Sequence, residues 1–482
     1  MTDARTLDTE VIIVGGGPAG SALGTLLGMD GIPCMILEKD IHPRDHVGES
    51  LVPSTNLVFK RINFLDKMND AGFMHKPGAA WNGPRSPLWK FVEVPLFEYP
   101  IEGGPQPYTY NVERDAMDAM LIRHAHEHGA KVLQGVKVRH VIFEDDRAVG
   151  VRVQVADGWE RDLYARYVVD ASGRRCLLAN QLKMKHNDPT FNQFCIYSWF
   201  EGVKQPPERI AGYSLFYFLG LNQAWGWQFP LRGGKSTIGI VLDKEDFQKS
   251  GKDAEEFFFS LVDLNDTFRH AMSEARRIRP FWVEGDYSYK IDRFAGPGWL
   301  LAGDALRFVD PIFSSGVDVA LYSGLHAYET LIDVMRNGNE EQAFGAYHKR
   351  VEDGADIWYD MISMFYRLQN LVTKYVSSPH TREMFVRALQ GNPYDLKAQA
   401  RSRALLDLMQ ESYERVMQVP GNLLRPWAMD PEKYHTLTCP TCLGVADYWP
   451  EEEAFICRRC GAKAPAVSMR GPVGAPEPDP VG

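Results

Sequence analysis

The sequence predicts an α/β fold: a Rossmann-like nucleotide-binding domain carrying an antiparallel β-sheet substrate domain, then a C-terminal helical region and a small cysteine-bearing ribbon. Three observations predict it. A buried-strand pattern near the N-terminus runs straight into a glycine-rich turn. Apolar and polar residues alternate in strand-like runs from Asn192 to Leu242. From Glu340 to Leu424 the apolar residues recur at helical spacing, ahead of two CxxC pairs.

Composition bounds the rest. With 482 residues and 45% hydrophobic content the chain can bury a large core and divides into two or three domains. A net charge of −10 without a dense Lys/Arg block argues against nucleic acid or an anionic membrane as the main partner. The opening MTDARTLDTE carries acids and no apolar run, and no run reaches transmembrane length, so a cytoplasmic protein is expected. Seven cysteines are too few and too unevenly placed for a secreted disulfide scaffold.

The first element is a complete βαβ unit. The strand EVIIV (Glu10 to Val14) enters GGGPAG, which sets Gly15, Gly17 and Gly20 in GxGxxG spacing with Ala19 on the turn. The helix-compatible SALGTLLGMDG follows, and a second apolar strand, CMIL, ends at Glu38. Glycines there let the backbone approach a pyrophosphate, the helix N-terminus stabilises its charge, and Glu38 can accept from ribose hydroxyls. The motif alone does not say which dinucleotide. Further along, YVVDASG (Tyr167 to Gly173) and WLLAGD (Trp299 to Asp304) read as strands ending in small-residue turns, and NVERDAMDAM supplies Arg114 and Asp118. Together these elements resemble the flavin monooxygenase superfamily of the para-hydroxybenzoate hydroxylase type. The resemblance implies FAD, with Asp304 against its ribityl and pyrophosphate and the next helix aimed at the isoalloxazine.

That next helix begins in GDALRFVDPIFSSGV. Val317, Leu321, Leu325, Tyr328 and Leu331 recur at helical spacing, while Arg336, Asn337 and Gly338 form a stop signal, so a helix is expected from near Ser315. Its first turn offers unpaired backbone N–H groups to an anion, and Gly316 removes a Cβ from the approach. Three features join it. WGWQFP (Trp225 to Pro230) is, on period alone, one face of an amphipathic strand. Lys76 in GFMHKPGAAW is, on context alone, a solvated lysine. HVGESLVP (His46 to Pro53) is a loop. Taken in their order along the chain, with DPIFSSGV last, they resemble the flavin-dependent halogenases of the phenol and pyrrole type, over about residues 8 to 375.

The resemblance implies a chemistry and a division of labour. Reduced FAD and O₂ form a flavin hydroperoxide that oxidises chloride or bromide to hypohalous acid, and a separate flavin reductase supplies the FADH₂. It places halide at Ser315 and Gly316, and further FAD contacts at Ser50, Arg114, Pro311 and Gly316. The relay of hypohalous acid falls to Lys76, and the wall between flavin and substrate to Trp225, Trp227, Phe229 and Pro230. An amine buried in an apolar tunnel would be neutral part of the time, as the relay requires. A small electron-rich aromatic is the implied substrate: a phenol, a pyrrole or an aryl group tethered to a carrier protein. One departure stands out. Many relatives read GVHLA where this chain reads GVDVA, and Asp318, unfavourable beside a halide, is expected to point elsewhere. The competing readings are an aromatic hydroxylase or a reductase of the same superfamily, neither of which needs Lys76, a halide or the tryptophan wall, and a non-catalytic interaction protein.

The tail is separate chemistry. Cys439, Cys442, Cys457 and Cys460 form CPTC and CRRC with fourteen residues between, a spacing that places four thiolates for a structural Zn²⁺ in a zinc ribbon. Residues 465–482, rich in Pro and Gly, are expected to be disordered. The expected domains are a discontinuous FAD-binding domain (8–80, 105–185 and 285–340), a substrate sheet (81–104 and 186–284), a helical region (341–430) and the ribbon (434–464).

Overall fold

The apolar runs of the N-terminal third have one way to bury both faces, which is a parallel sheet under helices. In the computed structural model, residues 6–418 are described except 85, 156–157, 189, 221–223 and 286–287, together with 436–438, 445–452, 454–459, 461 and 463–465. Strand Thr9–Val14 lies between Cys34–Glu38 and Glu160–Asp170, all parallel, and the sheet continues to Lys131–Gln134 on one side and Trp299–Leu301 on the other. The strands Thr9–Val14, Cys34–Glu38 and Trp299–Leu301 are almost fully buried, as is the end of Glu160–Asp170, with Val11, Ile12, Ile13, Val168 and Val169 at 0% exposure, while the edge strand Lys131–Gln134 is partly exposed. The strands Thr9–Val14, Glu160–Asp170 and Trp299–Leu301 end near Gly15, Ala171 and Gly303, so the glycine turn, the DASG turn and the Gly-Asp turn open on the same edge. That edge is where such sheets bind ligands.

The second sheet runs Arg276–Arg277, Gln193–Glu201, Lys235–Asp243, Trp225–Pro230, Ser214–Phe218, Gly78–Asn82 and Val92–Pro95. The four runs expected from alternation are all strands of it. It is not purely antiparallel, because Ser214–Phe218 pairs in parallel with Gly78–Asn82, a strand contributed from far earlier in the chain. Helix Gly316–Asn337 starts one residue after Ser315 and ends on Gly338 in the left-handed region. Helix Glu340–Ser377 then touches strands of both sheets, and helices Pro379–Leu389 and Leu396–Met417 pack against it. Among the described residues, no helix is long and apolar enough to cross a membrane.

At the C-terminus, Thr436–Thr438, Val445–Trp449, Ala454–Cys457 and Lys463–Pro465 form a four-stranded antiparallel sheet. Cys457 ends its third strand and is buried. Cys439, Cys442 and Cys460, and the tail 466–482, lie outside the described residues.

Candidate active site

A cleft of about 410 Å³ opens at the edge shared by the three turns. Gly15, Gly17, Ala19, Glu38 and Ser50 line it. Arg114, Asp304, Pro311 and Gly316 line it too, so nine sequence-predicted positions meet in one space. The tenth, Gly20, lies behind the turn, where a Cβ would sit 2.0 Å from the Gly15 carbonyl oxygen.

The part of the cleft at the glycine turn is built from backbone. Gly15 has φ +106, and a Cβ on it would meet the Ala171 carbonyl oxygen at 2.3 Å, so no other residue fits. Gly17 differs: a Cβ there would have only the Arg44 guanidinium within 4 Å, at 3.9 Å, because that face is open to the cleft. Helix Pro18–Met29 starts at Gly17 with no side-chain cap and no acid in its first turn. Its unpaired N–H groups and the nearby Arg44 suit a pyrophosphate. Glu38 is buried and pinned, accepting from the Gly16 N–H at 2.7 Å and the Asp40 N–H at 2.8 Å, which leaves carboxylate lone pairs for a ribose.

The part of the cleft around Arg114 and Asp304 is held by charge. Arg114 makes a two-pronged pair with Asp118 (2.9 and 3.0 Å) and donates to the Val47 carbonyl at 2.8 Å, so its role extends to fixing the strap His46–Pro53 over the cleft. Burial pushes the Asp304 carboxyl up to about 6 against the pull of Arg174 and Arg114. A carboxylate desolvated in this way gains from hydroxyl donors brought by a ligand. Uncapped helix, buried acid and open glycine together fit an FAD.

Trp225, Trp227 and Phe229 line the same cleft, and Pro230 is buried behind them without lining it. Behind this wall is a second, apolar cavity of about 60 Å³, lined by Phe216, Phe218, Phe313, Phe365 and Phe385 among others, with Lys76 in its wall. Phe365 comes from MISMFYRLQNLV, which therefore helps enclose the pocket. Ser314 lines both spaces. Ser315, expected with Gly316 to hold the halide, is buried at the helix start and lines neither space, while Gly316 lines the cleft. Ser314 is left-handed at φ 56 because the turn Pro311–Phe313 must reverse into the helix. Such a conformation costs a non-glycine residue about 1–2 kcal/mol.

Lys76 is 5% exposed, and its amine donates to Ser50 Oγ at 2.9 Å and to the Leu51 carbonyl at 2.7 Å. Burial alone pulls the amine down to about 7. Asp318 does point elsewhere: fully buried, it accepts from the Ser54 hydroxyl, and desolvation raises it to about 7. Tyr366, which no sequence signal singled out, ties the Trp225 strand to the loop that carries Asp310 and Ser314. Trp225 Nε1 donates to its hydroxyl at 2.9 Å, and that hydroxyl donates to Asp310 Oδ2 at 3.0 Å. Arg174, ion-paired to Glu284 at the cleft, was likewise missed.

Residues 8–356 match the FAD binding domain family. The chain is 36% identical over 441 residues to the 1H-pyrrole-2-carbonyl-[peptidyl-carrier protein] chlorinase of Pseudomonas fluorescens, covering 88% of this chain and 97% of that one. The chain belongs to the flavin-dependent halogenases. This halogenase is also 30% identical over 399 residues to the 1H-pyrrole-2-carbonyl-[peptidyl-carrier protein] brominase of Pseudoalteromonas luteoviolacea, covering 82% of this chain and 94% of the other. Among solved structures it resembles the flavin-dependent brominase Bmp2, with TM-score 0.76 and 26% identity over 84% of this chain and 99% of that one. The halogenase is thus an FAD-dependent oxidoreductase, and the hydroxylase, reductase and non-catalytic readings give way.

Proposed function

We propose that this halogenase places chlorine or bromine on a pyrrole ring tethered through its carbonyl to a carrier protein. The observation that carries the reading is the second cavity. Among the described residues that line it, Lys76 is the sole titratable side chain, and Ser314 is a wall common to this cavity and the first cleft. Bound reduced FAD would supply, with O₂, the oxidation of halide to hypohalous acid. The chain's own residues do the rest. The backbone at Gly316, at the start of a helix with no side-chain cap, offers N–H donors to a halide. Trp225, Trp227 and Phe229 keep the aromatic substrate from the flavin. Lys76, neutral for much of the time near pH 7, receives the hypohalous acid and delivers it to the ring. The two carrier-protein halogenases among the relatives support a tethered substrate. We further propose a cytoplasmic enzyme served by a separate flavin reductase, and a structural zinc on Cys439, Cys442, Cys457 and Cys460.

The test pairs the halogenase with a flavin reductase, FAD, O₂ and either halide. It is offered pyrrole-2-carbonyl loaded on a carrier protein, the free acid, and a panel of phenols and indoles. Mass spectrometry should find halogen on the loaded pyrrole in preference to every free compound. A free phenol turned over faster than the loaded carrier, or a product that gains only oxygen, would overturn the proposal.

A further inference from the structure

The amine of Lys76 stands at one end of a buried chain of hydroxyls. Ser50 Oγ, which accepts from it, lies 3.0 Å from Ser214 Oγ, and Ser214 donates to Asn111 Oδ1 at 3.0 Å. Every member is buried: Ser50 at 4% exposure, Ser214 and Asn111 at 0%. Three parts of the fold meet here. The strap bridges to Asn111 at Ser50, Lys76 pairs with Thr109 on the strand next to it, and Ser214 begins a strand of the second sheet.

The direction of the chain follows from counting protons. The Asn111 side-chain N–H donates to the Gly212 carbonyl at 3.4 Å, which turns its carbonyl oxygen toward Ser214. A carbonyl oxygen can only accept, so the single hydroxyl hydrogen of Ser214 is spent on Asn111. Ser214 must then accept in its contact with Ser50, and the single hydrogen of Ser50 is spent on Ser214. Ser50 has only lone pairs left to offer Lys76. The Leu51 carbonyl, at 2.7 Å, is likewise an acceptor. A neutral amine has two hydrogens and one lone pair, and both hydrogens are accounted for.

We propose that Ser214 and Asn111 are positioning residues that lock Ser50 as an acceptor, so that the lone pair of Lys76 is left free for the substrate cavity. Without them the Ser50 hydroxyl could turn and donate to the amine nitrogen, occupying the electron pair the relay needs. The lowered proton affinity of Lys76 fits this arrangement, since no carboxylate or cation lines its cavity and both its partners are neutral. The inference rests on the reading of Lys76 as the relay, and is tested on the amine itself.

The probe is potassium cyanate, small enough for the cavity and reactive with an amine only in its neutral form. Carbamylation of Lys76 in the FAD-loaded enzyme is followed by mass spectrometry at pH 7, beside FAD affinity and melting temperature. Ser214→Ala should slow it by at least about threefold, the worth of one hydrogen bond on the lone pair, and Ser214→Thr, which keeps a hydroxyl, should restore it. Asn111→Ala removes the terminal acceptor from a different strand and should slow it equally. Wild-type labelling rates in whichever of these two variants folds and binds FAD overturn the proposal, as does slow labelling that Ser214→Thr leaves slow. Halogenation that persists without Lys76 would instead refute the relay, and leaves the labelling result readable by itself.

Discussion

Replacing Lys76 with Met removes the amine and keeps a side chain of similar length, which turns its burial into a measurable pH dependence. Its amine is brought from an ordinary 10.5 down to about 7 by desolvation. The sign follows from which state binds more protons. Between pH 7 and 10.5 the unfolded chain holds a proton on this lysine and the folded chain does not, so stability rises with pH across that window. The penalty is full below the folded value and vanishes above the unfolded one. At about 1.4 kcal/mol per tenfold change in acidity, it amounts to about 4 kcal/mol at pH 7 and about 2 kcal/mol at pH 9. Met forfeits the bonds to Ser50 and Leu51, a loss of about 1–3 kcal/mol that does not vary over this range. The variant should therefore gain on the wild type at low pH and lose that gain as pH rises. Urea unfolding of both proteins at pH 7, 8 and 9 measures the difference, in which all other titrations cancel. A difference that stays flat from pH 7 to 9 refutes a neutral, desolvated Lys76.

Tyr366→Phe strands both Trp225 Nε1 and Asp310 in the interior and should destabilise the enzyme by about 1–3 kcal/mol; product per reduced flavin should fall as the wall loosens, and an unchanged melting temperature would sink this. Gly17→Ala should leave stability nearly unaltered, because its Cβ meets only Arg44 at 3.9 Å, yet weaken FAD binding by about tenfold or more, or about 1.4 kcal/mol, in a fluorescence titration. Elemental analysis of fresh protein should find zinc bound to the wild type and lost in Cys457→Ser, and protein free of zinc as isolated removes the ribbon.

Much of the site was legible because it depends on local rules. Gly15, Gly17 and Glu38 sit at offsets set by one strand, one turn and one helix, and the structure brings them to one cleft edge. The helix limits at Ser315 and Gly338 followed from period and a glycine stop. What stayed hidden depends on tertiary contact or on single dihedral angles. Tyr366 is one residue in a long helical run, and nothing local says that its hydroxyl meets Trp225 and Asp310. Ser314 and Ser315 are equivalent in sequence, and only the left-handed turn decides which one lines the two spaces. The parallel pairing of Gly78–Asn82 with Ser214–Phe218 joins segments too far apart for periodicity to register. The same distance concealed the chain from Lys76 to Asn111.

The central claim is that hypohalous acid crosses from the flavin cleft to the substrate through Lys76. Lys76→Ala, supplied with reduced FAD, O₂, bromide and the loaded carrier protein, tests it most directly when brominated carrier and free hypobromous acid are assayed together. The account expects FAD binding and bromide oxidation to persist, the acid to escape into solution, and the brominated carrier to disappear. Brominated carrier at the wild-type level would contradict it.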